Sequence, residues 1–88
     1  MPLNAQVWDF PRYHQLKAIC LADVDLMPVL ESLLTDLALR YRAESFHTKT
    51  SRNGKYISGS LEVFFTTADE VEQLYRGLHE HPLIVQSL

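Results

Sequence analysis

Alternation and helical spacing of apolar residues divide this chain into six segments. From Tyr13 to Ala22 the repeat is two. Leu16, Ala18, Cys20 and Ala22 fall on one side of an extended strand, and Gln15, Lys17, Ile19 and Leu21 fall on the other. Lys17 prefers water, so the first set is expected to face the core. At Asp25 the period changes. Leu26, Val29, Leu30, Leu33, Leu34, Leu37 and Tyr41 follow the i, i+3, i+4, i+7 rule and make a wide apolar stripe. Asp25 is placed to cap the first turn, and Pro28 is tolerated there because no intrahelical donor is lost. On this reading the helix runs to Tyr41. Arg40 and Arg42 then sit at its C-terminal end, where positive charge complements the helix dipole.

Residues 44–51 and 55–66 predict two strands around Asn53-Gly54, a pair that favours a type I′ turn because both residues tolerate positive φ. With Arg52 facing Lys55, Gly59 lies opposite Thr48 and Leu61 opposite Phe46. A four-residue loop from Arg52 to Lys55 keeps the same register. Ile57, Gly59, Leu61, Val63 and Phe65 then line the core. The opposite side carries Tyr56, Ser58, Ser60, Glu62 and Phe64, with His47 and Lys49 beside them. Half-polar alternation of this kind belongs to a sheet covered on one side only.

Thr67-Ala-Asp-Glu70 has the form of a capping box, followed by Val71, Leu74, Tyr75 and Leu78 at helical spacing. Gly77 weakens the helix interior by about 1 kcal/mol relative to alanine, and is expected where the helix passes close to the sheet. Pro82 ends the run, and Leu83 to Leu88 predicts a final strand. The order β-α-β-β-α-β predicts an α+β, ferredoxin-like fold. It has a four-stranded antiparallel sheet, both helices on one face, and the first and third strands central. Residues 1–8 lack periodicity and are expected to form a flexible arm ahead of a single domain over 9–88. Trp8 and Phe10 are expected to tack that arm onto the domain.

Composition narrows the chemistry. A net charge of −3 argues against dependence on non-specific nucleic-acid contact, although a local basic patch remains compatible with it. The single cysteine, Cys20, excludes an internal disulfide and a multi-thiolate zinc site. The N-terminus has neither a basic n-region nor an apolar h-region, and no apolar run approaches the roughly 20 residues that span a bilayer. The chain is therefore expected to be cytoplasmic and without membrane contact.

Specific site chemistries can then be tested against the pattern. An RNA-recognition face needs stacking aromatics on the first and third strands, and Gln15, Lys17 and Ile19 leave the centre of the first without one. Lys49, Arg52 and Lys55 make a basic hairpin tip, which solvent alone accounts for. Nucleic acid is not expected as a partner. His79-x-His81 offers two imidazoles, which alone make a poor metal site. Asp23 and Asp25 make the loop after the first strand acidic and unsuited to phosphate. Glu62 is expected to approach His47 diagonally across the hairpin as a weak surface pair. No nucleophile–base constellation can be named, so no enzymatic activity, metal or cofactor is expected.

Several residues carry a family resemblance. They are Asp9-Phe10-Pro11 before the first strand, Lys17 within it, Ser51-x-x-Gly54-x-Tyr56-x-Ser58 across the hairpin, Leu74-Tyr75 in the second helix, and the terminal apolar strand. With these the chain resembles, over about residues 9–88, the YbeD-like proteins, small bacterial proteins of unknown function. The resemblance implies a cytosolic ferredoxin-like domain with no established activity. Proteins of that family look like ACT regulatory domains, which bind small ligands and pair with one another. In the loop after the first strand Asp23 matches the acidic position of those domains, but Val24-Asp25-Leu26 supplies no glycine.

Two functions follow as expectations. The leading one is a non-catalytic regulatory or protein-interaction domain that uses its open sheet face. Lys17, His47, Lys49, Tyr56, Ser58, Ser60 and Glu62 are the binding residues, and a protein partner or a second copy is the occupant. The alternative is an ACT-like sensor of an amino acid or carboxylate, acting as a dimer.

Overall fold

A computed structural model describes residues 9–87. The expected arm over 1–8, with Trp8, lies outside the described residues. The elements are β1 (Arg12–Leu21), α1 (Leu26–Asp36), β2 (Arg40–Thr50), β3 (Tyr56–Phe65), α2 (Ala68–Glu80) and β4 (Ile84–Ser87). They form one antiparallel sheet in the order β2-β3-β1-β4, so the first and third strands are central as the pattern predicts. Leu16, Ala18 and Cys20 from β1 and Leu61, Val63 and Phe65 from β3 are buried with Leu26, Leu30 and Leu34 of α1 and Val71, Leu74 and Leu78 of α2. Both helices therefore cover the same face of the sheet, and among the described residues no element covers the other face. Phe10 packs against this core.

Gly59 shows why α1 can lie so close. A methyl built on its Cα would land on Leu26 Cδ2 and come within 3.2 Å of Phe46 Cε1. The missing side chain makes room for the first turn of the helix. Asp25 occupies the N-cap position, but its side chain makes no capping hydrogen bond. At Thr67 the predicted capping box forms, with Glu70 N–H donating to Thr67 Oγ1 at 3.3 Å and Thr67 N–H to Glu70 Oε1 at 3.4 Å. Gly77 faces Leu33 of α1 at 3.3 Å from an added Cβ, so its close approach is between the helices and not to the sheet.

The largest departure from the sequence pattern is at the end of α1. The helix stops at Asp36, five residues before Tyr41. Ala38 takes a left-handed conformation with φ +55°. Leu39 N–H bonds to Leu34 O at 2.9 Å and Ala38 N–H to Thr35 O at 3.0 Å. These are the two bonds of a Schellman cap, and Leu34 and Leu39 are both buried beside it. Arg40 and Arg42 are consequently on β2, not at the helix end.

The hairpin register is as predicted near the turn, with Gly59 opposite Thr48 and Ile57 opposite Thr50. The loop is the four-residue form, Arg52 to Lys55. Gly54 has φ +73°, and Asn53 is not in the left-handed region that a type I′ turn would require. Asn53 Oδ1 instead accepts from Ser51 Oγ at 2.9 Å and Lys55 N–H at 3.1 Å. Further along, the register changes: Arg42 pairs with Glu62 and Arg40 with Phe64. Five residue steps on β2 thus match two on β3, and the expected Leu61–Phe46 pair falls inside the irregular stretch. Ser45 splices the gap. Its hydroxyl donates to Arg42 O at 2.6 Å and accepts from Glu62 N–H at 2.8 Å.

Candidate functional site

The open face of the sheet is built by residue parity. On β3 every second residue, Tyr56, Ser58, Ser60, Glu62 and Phe64, points away from the helices. Their cross-strand partners share that face: Lys17 and His47 beside Ser60, Lys49 beside Ser58, Arg42 beside Glu62, and both Arg40 and Tyr13 beside Phe64. The irregularity in β2 matters here. In a regular strand Arg42 and His47, an odd number of residues apart, would lie on opposite faces. The extra residues bring both onto the open one.

At the hairpin end the face holds a shallow depression of ≈ 860 Å³. Lys17, Lys49 and Arg52 supply positive charge to it, and Ile19, Tyr56 and Val85 supply apolar surface. Among the described residues no carboxylate lines it. Of the seven expected binding residues, Lys17, Lys49, Tyr56 and Ser58 meet there. Ser58 Oγ donates to Lys49 O at 3.3 Å. Ser60 is 8% exposed, covered between its neighbours, and is a poor contact residue. His47 is exposed, and its Nδ1–H donates to Ser45 O at 3.1 Å. Glu62 does not pair with His47. Its Oε2 lies 3.5 Å from Arg42 Nη1, because the register change puts Arg42 directly opposite it.

The far end of the face carries a cluster that periodicity concealed. The Arg42 guanidinium lies 3.9 Å from the Tyr13 ring centroid, and Arg40 5.3 Å from that of Phe64. The two rings tilt against each other at 5.0 Å. Tyr13 and Phe64 do stand on the two central strands, yet both are already covered by arginine. Val85 and Gln86 reach the depression from the edge strand β4, and no spacing rule assigns an edge strand to a site on another.

Other groups are accounted for structurally. Cys20 is buried, and burial, with Asp23 nearby, pushes its thiol above the usual range. Burial and a 3.2 Å hydrogen bond to Glu31 raise Tyr41. His81 Nδ1 accepts from Leu83 N–H at 3.1 Å, which fixes the end of α2. Among the described residues no group of three or more His, Cys, Asp or Glu is arranged to hold a metal ion. The loop after β1 presents Asp23 and Asp25 to solvent.

This is a ferredoxin-like α+β domain, with one face of its sheet uncovered among the described residues. Residues 5–88 match the family described as "Protein of unknown function (DUF493)", and the chain belongs to that family, the YbeD-like proteins. It is similar to a UPF0250 protein of Hahella chejuensis, with 28% identity over 76 residues, 86% of this chain and 84% of that one. UPF0250 protein NE1487 of Nitrosomonas europaea is 28% identical over 57 residues, 65% of this chain and 66% of that one. The solution structure of protein HP0495 from H. pylori has the same fold, with a TM-score of 0.75 and 16% identity over 100% of this chain and 97% of that one. The descriptions of this family and of these two relatives name no catalytic activity. Among the described residues no helix is long and apolar enough to cross a membrane.

Proposed function

We propose that this protein is a non-catalytic docking module whose open sheet face binds an acidic surface of a protein partner. The observation that carries this is the segregation of charge. Of the 8 Lys and Arg residues, Lys17, Arg40, Arg42, Lys49, Arg52 and Lys55 lie on the open face or at its hairpin tip. Of the 11 Asp and Glu residues, the helical layer and its loops hold eight, Asp23, Asp25, Glu31, Asp36, Asp69, Glu70, Glu72 and Glu80, whereas Glu62 lies on the open face opposite Arg42 and Glu44 on β2. A chain of net charge −3 therefore presents a basic face. Such a face steers an oppositely charged partner and fixes its orientation. Tyr56, Ile19 and Val85 add the apolar contact that individually weak surface charges do not supply.

The test is capture from a native extract with the immobilised protein, a Lys17→Glu/Lys49→Glu variant, and an Arg76→Glu control on α2. A partner is expected to be retained by the parent and the control and lost by the variant, with all three melting alike. Retention that survives the double reversal removes the proposal.

A further inference from the structure

The charged positions on this face are spaced regularly as well as segregated. Resting on the docking reading above, we infer that the partner segment is an extended stretch of polypeptide with acidic residues at alternate positions. It lies along β3. Four successive outward positions of that strand each have a basic side chain opposite: Arg40 at Phe64, Arg42 at Glu62, Lys17 and His47 at Ser60, and Lys49 at Ser58. The step between them is two residues, about 6.7 Å. An extended peptide presents the side chains of one edge at that same pitch. From Phe64 to Tyr56 the track runs for about 27 Å, the length of eight extended residues.

The register change in β2 is what makes the track continuous, since it carries Arg40 and Arg42 onto the face that His47 and Lys49 occupy. The two arginines are also held in place before any partner arrives, by the rings of Tyr13 and Phe64. A guanidinium laid on an aromatic ring loses less side-chain freedom on binding. Arg42 Nη1 also lies 3.5 Å from Glu62 Oε2, so a partner carboxylate at that position shares the guanidinium with Glu62. The same arrangement disfavours single-stranded nucleic acid, which needs uncovered rings for its bases. Lys55 likewise sits 5.5 Å from the ring of Tyr56.

The experiment is titration of the intact protein with two eight-residue peptides of equal composition and charge. One alternates glutamate and serine throughout, and the other has all its glutamates in the first half and all its serines in the second. Binding is followed by NMR at low and moderate salt, with an eight-nucleotide oligo-dT as a third probe. The alternating peptide aligns four carboxylates with the track and the block peptide two, so about a tenfold tighter Kd is expected for the former. The advantage should disappear in Arg42→Gln/Lys49→Gln, with the melting temperature unchanged. Equal affinity for the two peptides overturns the alternate spacing and leaves the docking module standing. Failure of both peptides to bind overturns this inference, and the capture experiment then judges the docking reading separately. Tighter binding of oligo-dT overturns both in favour of a nucleic-acid face.

Discussion

Replacing Ala38 by glycine is expected to stabilise this protein, a result opposite to the usual effect of glycine near a helix. Ala38 has φ +55° and ends α1 in the left-handed region. A non-glycine residue there is disfavoured by roughly 1–2 kcal/mol, because its Cβ crowds the neighbouring carbonyl. Glycine removes that crowding but gains freedom in the unfolded chain, which offsets roughly 0.4–1 kcal/mol. The methyl of Ala38 is exposed, so little burial is lost with it. The net gain is about 0.5–1 kcal/mol, or about 3–6 °C in melting temperature for a domain this size. Gly54→Ala serves as the mirror experiment. It has φ +73°, and an added Cβ meets nothing within 4 Å, so backbone strain is its only cost. Thermal scans by circular dichroism and urea titrations at neutral pH should move the two variants in opposite directions by similar amounts. A lower melting temperature for Ala38→Gly, or a shift of both variants the same way, would refute the reasoning.

Three further outcomes follow from the same contacts. Ser45→Ala removes both bonds that splice the β2 irregularity and should cost about 1–2 kcal/mol in urea titrations, with faster hydrogen exchange at the Glu62 amide. Glu70 accepts from the Thr66 N–H first and from the Thr66 hydroxyl and Thr67 N–H besides, and these hold its carboxyl below the usual 4.5. A depressed carboxylate contributes stability that is fully present above its unfolded pKa and is lost as the pH falls through its folded one. Acid titration of stability should therefore decline from about pH 4.5 downward, and Glu70→Gln should flatten that limb. Cys20, buried with its thiol shifted upward, should resist a thiol reagent in buffer and react at once in denaturant.

The element order, the core faces of β1 and β3, and the register at the hairpin tip are legible in the chain because each rests on local chemistry. Asn53-Gly54 fixes a tight connection, and strict alternation leaves one choice of face. The end of α1 was hidden for a physical reason. Leu37 and Tyr41 continue the four-residue spacing, and Tyr41 packs on the core from a strand as well as it would from a helix. The residue that ends the helix is alanine, which carries no stop signal. A third of the basic side chains of this face is concealed with it, since on helical spacing Arg40 and Arg42 read as helix-end charges. Lys17, Lys49, Tyr56 and Ser58 were readable because a regular strand places them. The Glu62–His47 pairing failed because residues 43–46 shift the register between them.

The irregularity in β2 has a consequence for how copies of this protein can meet. β2 and β4 are the edges of the sheet, and an uninterrupted edge is a template on which another chain can add a strand. At 43–46 the repeat of amide and carbonyl groups along β2 is broken, and β4 is only 4 residues long. Strand addition along β2 would meet that break, and along β4 it would run for 4 residues at most.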